Sequence, residues 1–338
     1  MADPTNEWTI DALHTHLQYA IDLELWTLPL YICAVSSIKD QTKDPGKSAA
    51  DLINSIVIQE MLHLELACNL ALAFGMTPQF NQPVYSPQIG IPFHTPETQE
   101  PVNGPYEVRL GPLDENAINL FLEVELPKDL SEDKGKGTTG PADTYDSIGE
   151  FYQALQEGVK ELWQTCNKPD YYKCQKLVFA EPNPVPNPLP KGDYPSLDIK
   201  VTSYDEAVQA IATIVDQGEG SEPQGGVLPV YQPTVGQNDP LDALDTLSHY
   251  ERFLKVKSQL PIEIYTDKGS FAGPQQLDLD MAFGALLQDL SDSFSSEGID
   301  LVQDAYTKMF AIPGLATKVW HAGACPEFRA VPARPTSL

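Results

Sequence analysis

Apolar residues recur at helical spacing along most of the chain and divide it into helices joined by proline-bearing connections. The first stretch opens near Thr9, where Thr9-Ile-Asp-Ala12 supplies a cap, and runs to about Ile38 with Leu13, Leu17, Ile21, Leu25, Leu28 and Tyr31 on one stripe. Pro29 lies within it and predicts a kink or an early end, because proline lacks an amide hydrogen and crowds the preceding turn. The second stretch, Ser48 to Phe74, is apolar nearly all round and stops at Gly75. That is the pattern of a helix enclosed on most sides.

Residues 77–112 are proline-rich and irregular, and a short helix fits Asp114 to Glu125 ahead of Pro127. Ser147-Ile-Gly-Glu150 and Ser203-Tyr-Asp-Glu206 each read as a capping box, opening helices to about Trp163 and Gln217. Between them, residues 181–195 hold six prolines and predict a stiff connection. Leu241 to Lys257, Asp278 to Phe294 and Gly298 to Phe310 complete the helical patterns. The expected fold is all-α, with residues 1–260 as a bundle with inserted loops and 261–338 as further helices packing on it.

Composition narrows the partners. Lys and Arg number 21 against 48 Asp and Glu, a formal charge of −27 that repels phosphate backbones and anionic lipids. No nucleic acid or membrane partner is therefore expected. The N-terminus has no basic stretch followed by an apolar core, no run of 18 apolar residues is present, and the five cysteines are scattered. The expectation is a cytoplasmic protein acting as a monomer or homodimer.

The candidate chemistry comes from ionisable residues on apolar faces. Glu24 falls within the stripe of the first helix, and Glu60 and His63 fall on the side of the second that carries Ile53, Ile56, Leu64 and Ala67. Burying a carboxylate without compensation costs several kcal/mol, and a metal ion compensates several at once. Glu-x-x-His sets both side chains on one helix face, and with a lone Glu from a neighbouring helix it forms half of a carboxylate-bridged di-metal site. For the other half, His249 is the one late histidine in a helical pattern. Thr246 stands where a second Glu-x-x-His would need Glu, and Asp245 or Asp242 shares its side. Glu125 points inward beside Ile118, Phe121 and Leu122. Glu150 falls opposite the stripe of Tyr152, Leu155 and Val159, and Glu219 sits between glycines that permit close backbone approach. His14, His16, His94 and His321 read as surface or loop residues, and Tyr31 as core.

Several segments resemble a known family in order along the chain: Leu23-Glu-Leu-Trp-Thr-Leu-Pro-Leu-Tyr31, Gln59-Glu-Met-Leu-His-Leu-Glu-Leu-Ala-Cys-Asn69, Glu123-Val-Glu-Leu-Pro127, Ser147-Ile-Gly-Glu-Phe-Tyr152, Ile214-Val-Asp-Gln-Gly-Glu-Gly220 and Ser248-His-Tyr-Glu-Arg-Phe253. They are similar to the ferritin-like family that includes the N-terminal part of iminophenylpyruvate dimer synthases. The resemblance implies a ferritin-like bundle with one or two non-haem iron ions held by Glu24, Glu60, His63 and His249. One of Glu125, Glu150 or Glu219 would complete an asymmetric pair. The expected activity is an iron-dependent oxidase, oxygenase or oxidative-coupling enzyme taking a small aromatic or apolar metabolite, with O2 as co-substrate. A non-redox cyclase or condensing enzyme, and a metal-binding protein without turnover, are the rival readings.

Overall fold

The structure, a computed structural model, describes residues 7–94, 102–127, 140–166, 169–177, 199–218, 247–270, 272–295 and 301–331. Helix α1 (Ile10–Val35) begins at its expected cap, where Thr9 Oγ1 accepts the Ala12 amide at 3.1 Å. Pro29 does not end it. The helix continues to Val35, and every residue from Leu23 to Val35 is buried. Packing on all sides outweighs the one backbone bond that proline removes.

Helix α2 (Gly46–Ala73) is the one helix among the described residues long and apolar enough to cross a membrane, and that apolar stretch is fully buried inside the protein. Enclosure by other helices therefore accounts for its all-round apolarity. Asp114 caps α3 (Glu115–Val124) by accepting the Ala117 amide at 2.9 Å. Helices α4 (Ile148–Cys166) and α5 (Tyr204–Gly218) open at Ser147 and Ser203, whose hydroxyls accept the Glu150 and Glu206 amides. The two glutamates reach back one residue further than a capping box requires, to the amides of Asp146 and Thr202.

Helix α6 (His249–Ser258) begins later than its apolar pattern suggests. Ser248 is extended and forms a complete capping box with Glu251, so His249 is the first helical residue. A local Ser-x-x-Glu signal here overrides periodicity. Asp242, Asp245 and Thr246 lie outside the described residues. Helix α7 (Gly273–Ser295) is followed by α8 (Val302–His321), which passes through Pro313 and runs beyond the expected end at Phe310, burying Ile312, Ala316, Val319 and Trp320.

Helix α1 lies along α2, α4 packs on α1 and α5, and α5 packs on α2, so these four close a bundle. Helices α3 and α6 pack on each other and α6 on α2, while α7 pairs with α8 and α8 docks on α1. One apolar core extends from Trp8, ahead of α1, to Phe328, beyond α8. Among the described residues there is no sheet, only isolated bridges at Ile38–Ile264 and His94–Tyr145. The all-α expectation holds. His16 departs from its expected surface position: it is buried in α1, its ring bonded to the Ala12 carbonyl and the Tyr145 hydroxyl, each at 2.7 Å.

Candidate metal centre

Five side chains from three helices and the end of a fourth converge in the bundle interior. Glu24 comes from α1, Glu60 and His63 from α2, Glu125 from the residue that ends α3, and His249 from the first position of α6. None is more than 5% exposed. Glu60 stands in the middle and divides the group. Its Oε1 is 2.9 Å from His249 Nδ1, which is also 3.4 Å from Glu125 Oε1. Its Oε2 is 4.0 Å from His63 Nδ1, which is also 3.5 Å from Glu24 Oε2. One atom each from Glu60, His63 and His249 lies within 4.8 Å of the others.

The outer partners fix how the imidazoles face. Gln59 Oε1 accepts from Arg252 Nη1 at 2.7 Å and lies 3.0 Å from His249 Nε2. A guanidinium only donates, so this amide atom is an acceptor and His249 Nε2 must carry the proton. In the neutral ring the Nδ1 lone pair then faces the carboxylates. His249 Nδ1, with carboxylate oxygens of Glu60 and Glu125 at 2.9 and 3.4 Å, has no assigned hydrogen-bond partner among the described residues. His63 repeats the arrangement, with Nε2 2.8 Å from Gln217 Oε1 and Nδ1 turned to Glu24 and Glu60. The carboxylates are held from behind as well. Thr27 Oγ1 donates to Glu60 Oε2 at 2.8 Å, Tyr31 to Glu125 Oε1 at 2.6 Å, and Tyr152 to Glu24 Oε1.

The electrostatics call for a cation. Burial, then the Glu125 and Glu24 carboxylates, push the Glu60 carboxyl well above its usual range. Burial would raise Glu125 too, but the His249 contact and the Tyr31 hydroxyl hold it below its ordinary value. Burial and the facing carboxylates drive the Tyr31 and Tyr152 phenols well above theirs, so both remain proton donors. Atoms bound at about 2.1 Å to one ion stand roughly 3 to 4 Å apart, the range in which these nitrogens and oxygens already lie. The donor set, the spacing and the unpartnered Nδ1 fit a divalent metal with imidazole and carboxylate preference. A cavity of about 20 Å³ adjoins them, walled by Leu23, Ile148, Ile214 and Val215 and closed by Gly218.

Of the other predicted ligands, Glu150 is buried but turns its Oε2 to the Asp146 amide at 2.9 Å. Glu219 lies outside the described residues. Its neighbour Gly218 makes the close approach that the glycines suggested, because a Cβ there would stand 3.3 Å from Glu125 Oε2. Sequence reading passed over Gln59, Thr27, Arg252, Gln217 and Tyr152, and took Tyr31 as packing alone. Thr27 and Tyr31 follow Glu24 by three and seven positions and Arg252 follows His249 by three, so helical spacing offered that signal. Gln59, adjacent in sequence to Glu60, carried none.

Comparison with known proteins agrees with this architecture. A family model described as Ferritin-like matches residues 17–258. A ferritin-like protein of solved structure from Caulobacter vibrioides superposes with a TM-score of 0.71 at 27% identity, covering 96% of this chain and 99% of that one. The 2-imino-3-(indol-3-yl)propanoate dimerase of Chromobacterium violaceum is 25% identical over 235 residues, 62% of this chain and 21% of that protein. The chain thus spans about a fifth of that relative's length.

Proposed function

The chain belongs to the ferritin-like family, and from that premise we propose that it is a non-haem iron enzyme that oxidises or oxidatively couples a small aromatic metabolite. The observation that carries this reading is the split of Glu60 between two half-sites. Glu24 and His63 face one oxygen, Glu125 and His249 the other. Such an arrangement would hold two ions with Glu60 between them, as in carboxylate-bridged centres of helical bundles. Iron bound there would supply electron exchange with dioxygen or with the substrate.

The remaining tasks fall to the protein. Gln59 and Gln217 keep the Nδ1 lone pairs of both imidazoles turned inward. Tyr31 and Tyr152 hold protons at the Glu125 and Glu24 oxygens. The apolar wall of Leu23, Ile148, Ile214 and Val215 keeps bulk water from the carboxylates. A cavity of about 20 Å³ takes a molecule of water or dioxygen size, so an aromatic substrate would react from beyond that wall or after it opens. The indolic imino acid in the name of the C. violaceum relative supports an aromatic substrate class.

The same name favours a second reading, coupling of two molecules with no net oxidation and the metal as a Lewis acid. One experiment separates them. Iron-loaded protein is supplied with an indolic 2-imino acid while oxygen uptake and products are followed. Uptake that parallels product, absent in Glu60→Gln, supports the oxidase. Coupled product without uptake supports the condensing enzyme, and neither product nor uptake across a panel of aromatic imino and amino acids refutes both.

A further inference from the structure

Away from the metal centre, two cysteines distant in sequence meet. Cys33 lies on α1 about 2.5 turns beyond Glu24 and is fully buried, while Cys325 follows α8 and is partly exposed. Their sulfurs are 3.9 Å apart, the one thiol pair within hydrogen-bonding distance among the described residues. Both thiols also lie against the Pro326 carbonyl, at 4.0 and 3.7 Å.

Contacts that do not involve either sulfur bring the backbones together. Trp320 Nε1 donates to the carbonyl of Cys33 itself at 3.0 Å, tying the end of α8 to α1 at that residue. Gly323, at φ 85°, turns the chain, and its carbonyl accepts the Lys268 amide at 2.9 Å. Beyond the cysteine, Glu327 bonds Gln276 through its amide and carbonyl, Phe328 is buried against Phe283, and Arg329 pairs with the buried Asp280 at 3.0 Å. The segment is therefore held on both sides of Cys325, and the thiols face each other because the fold aligns them.

We infer that Cys33 and Cys325 form an oxidative modification site, closed to a disulfide by a hydroperoxide. The partly exposed Cys325 meets the oxidant first. Its sulfur takes one peroxide oxygen to give a sulfenic acid and water. The Cys33 sulfur then attacks that sulfur, and the displaced hydroxyl leaves as a second water with the Cys33 proton. In total, two thiols and one hydrogen peroxide give one disulfide and two waters. Bonded sulfurs stand about 2.05 Å apart, so the pair must close by about 1.9 Å, shared between two side-chain rotations. Burial, followed by the Cys325 contact, pushes the Cys33 thiol well above its usual range, so Cys33 keeps its proton until the second step and the partly exposed Cys325 is the sulfur that meets the oxidant. The bridge would fasten the end of α8 to the helix that carries Glu24.

The test uses the full-length protein, reduced, treated while folded with hydrogen peroxide, quenched, unfolded and labelled with a maleimide. Labelled thiols should fall from five to three, with a loss of two hydrogens in intact mass and a digest joining the Cys33 and Cys325 peptides. Dithiothreitol should restore all five. Cys325→Ser, a change at a partly exposed position, should keep its other four thiols under the same treatment. Five labels after treatment would overturn the inference. So would a gain of oxygen on Cys325 without a bridge, or a bridge joining any other pair.

Discussion

Replacing Gln59 by leucine keeps most of the volume and removes the side-chain amide, whose oxygen is the atom in contact with the site. That oxygen serves His249 Nε2 at 3.0 Å and Arg252 Nη1 at 2.7 Å. Arg252 Nη1 retains Ser55 Oγ at 3.0 Å, whereas His249 Nε2 loses its acceptor. A buried donor left unpaired costs about 1 to 3 kcal/mol, which sets the expected loss of stability. The larger consequence is for the imidazole. With Gln59 present, moving the ring proton to Nδ1 would set a lone pair against the amide oxygen. Without it, the Nδ1–H form is free to face Glu60 Oε1 at 2.9 Å, and a metal must first displace that proton. Outer partners of this kind are typically worth 10- to 100-fold in metal affinity, roughly 1.4 to 2.7 kcal/mol. Chelator-competition titration with ferrous ion under anaerobic conditions measures it, with thermal unfolding of the metal-free protein alongside. Gln59→Glu keeps an acceptor beside Arg252 and should bind within a few-fold of the parent. Undiminished affinity in Gln59→Leu, with only the unfolding temperature lowered, would refute the argument.

Three further outcomes follow from the same geometry. In metal-free protein Glu60 has a folded pKa raised above its unfolded value, so its contribution to stability is present at low pH and is lost as pH rises through the folded pKa. Glu60→Gln, an isostere of the protonated acid, should therefore unfold at higher temperature than the parent above neutral pH in chelator, while binding no metal. A parent that stays the more stable would count against an uncompensated carboxylate there. Gly218→Ala places a methyl 3.3 Å from Glu125 Oε2 and should push that carboxylate aside by a few tenths of an ångström, read as weaker metal binding on the His249 side in the same chelator titration. Tyr31→Phe removes the 2.6 Å donor to Glu125 and should lower stability by about 1 kcal/mol in denaturant titrations, with Tyr152→Phe as the matching test at Glu24.

Much of the bundle was legible because periodicity and caps coincide. Thr9 and Asp114 appear in the sequence where the helices start, and Glu24, Glu60 and His63 stand out as charges on apolar faces. Helix ends were harder to read. Pro29 and Pro313 lie inside helices, because burial of α1 and α8 outweighs the lost amide bond. At α6 a capping box won over an apolar pattern, and His249 consequently enters the site from a helix start. Among the described residues the carboxylates facing it are Glu60 and, from another helix end, Glu125. The glutamines behind the histidines carry no charge and no periodic signature, and only their positions in space reveal their part.

The most direct test of the account is metal content per chain in protein purified from iron-supplied cells, measured beside Glu60→Gln and His249→Ala. About two ions per chain are expected, as in a carboxylate-bridged pair. Glu60→Gln, which removes the shared ligand, should lose both, and His249→Ala should retain the ion on the His63 side. Folded parent protein that binds no metal, or a metal content indifferent to Glu60→Gln, would contradict it.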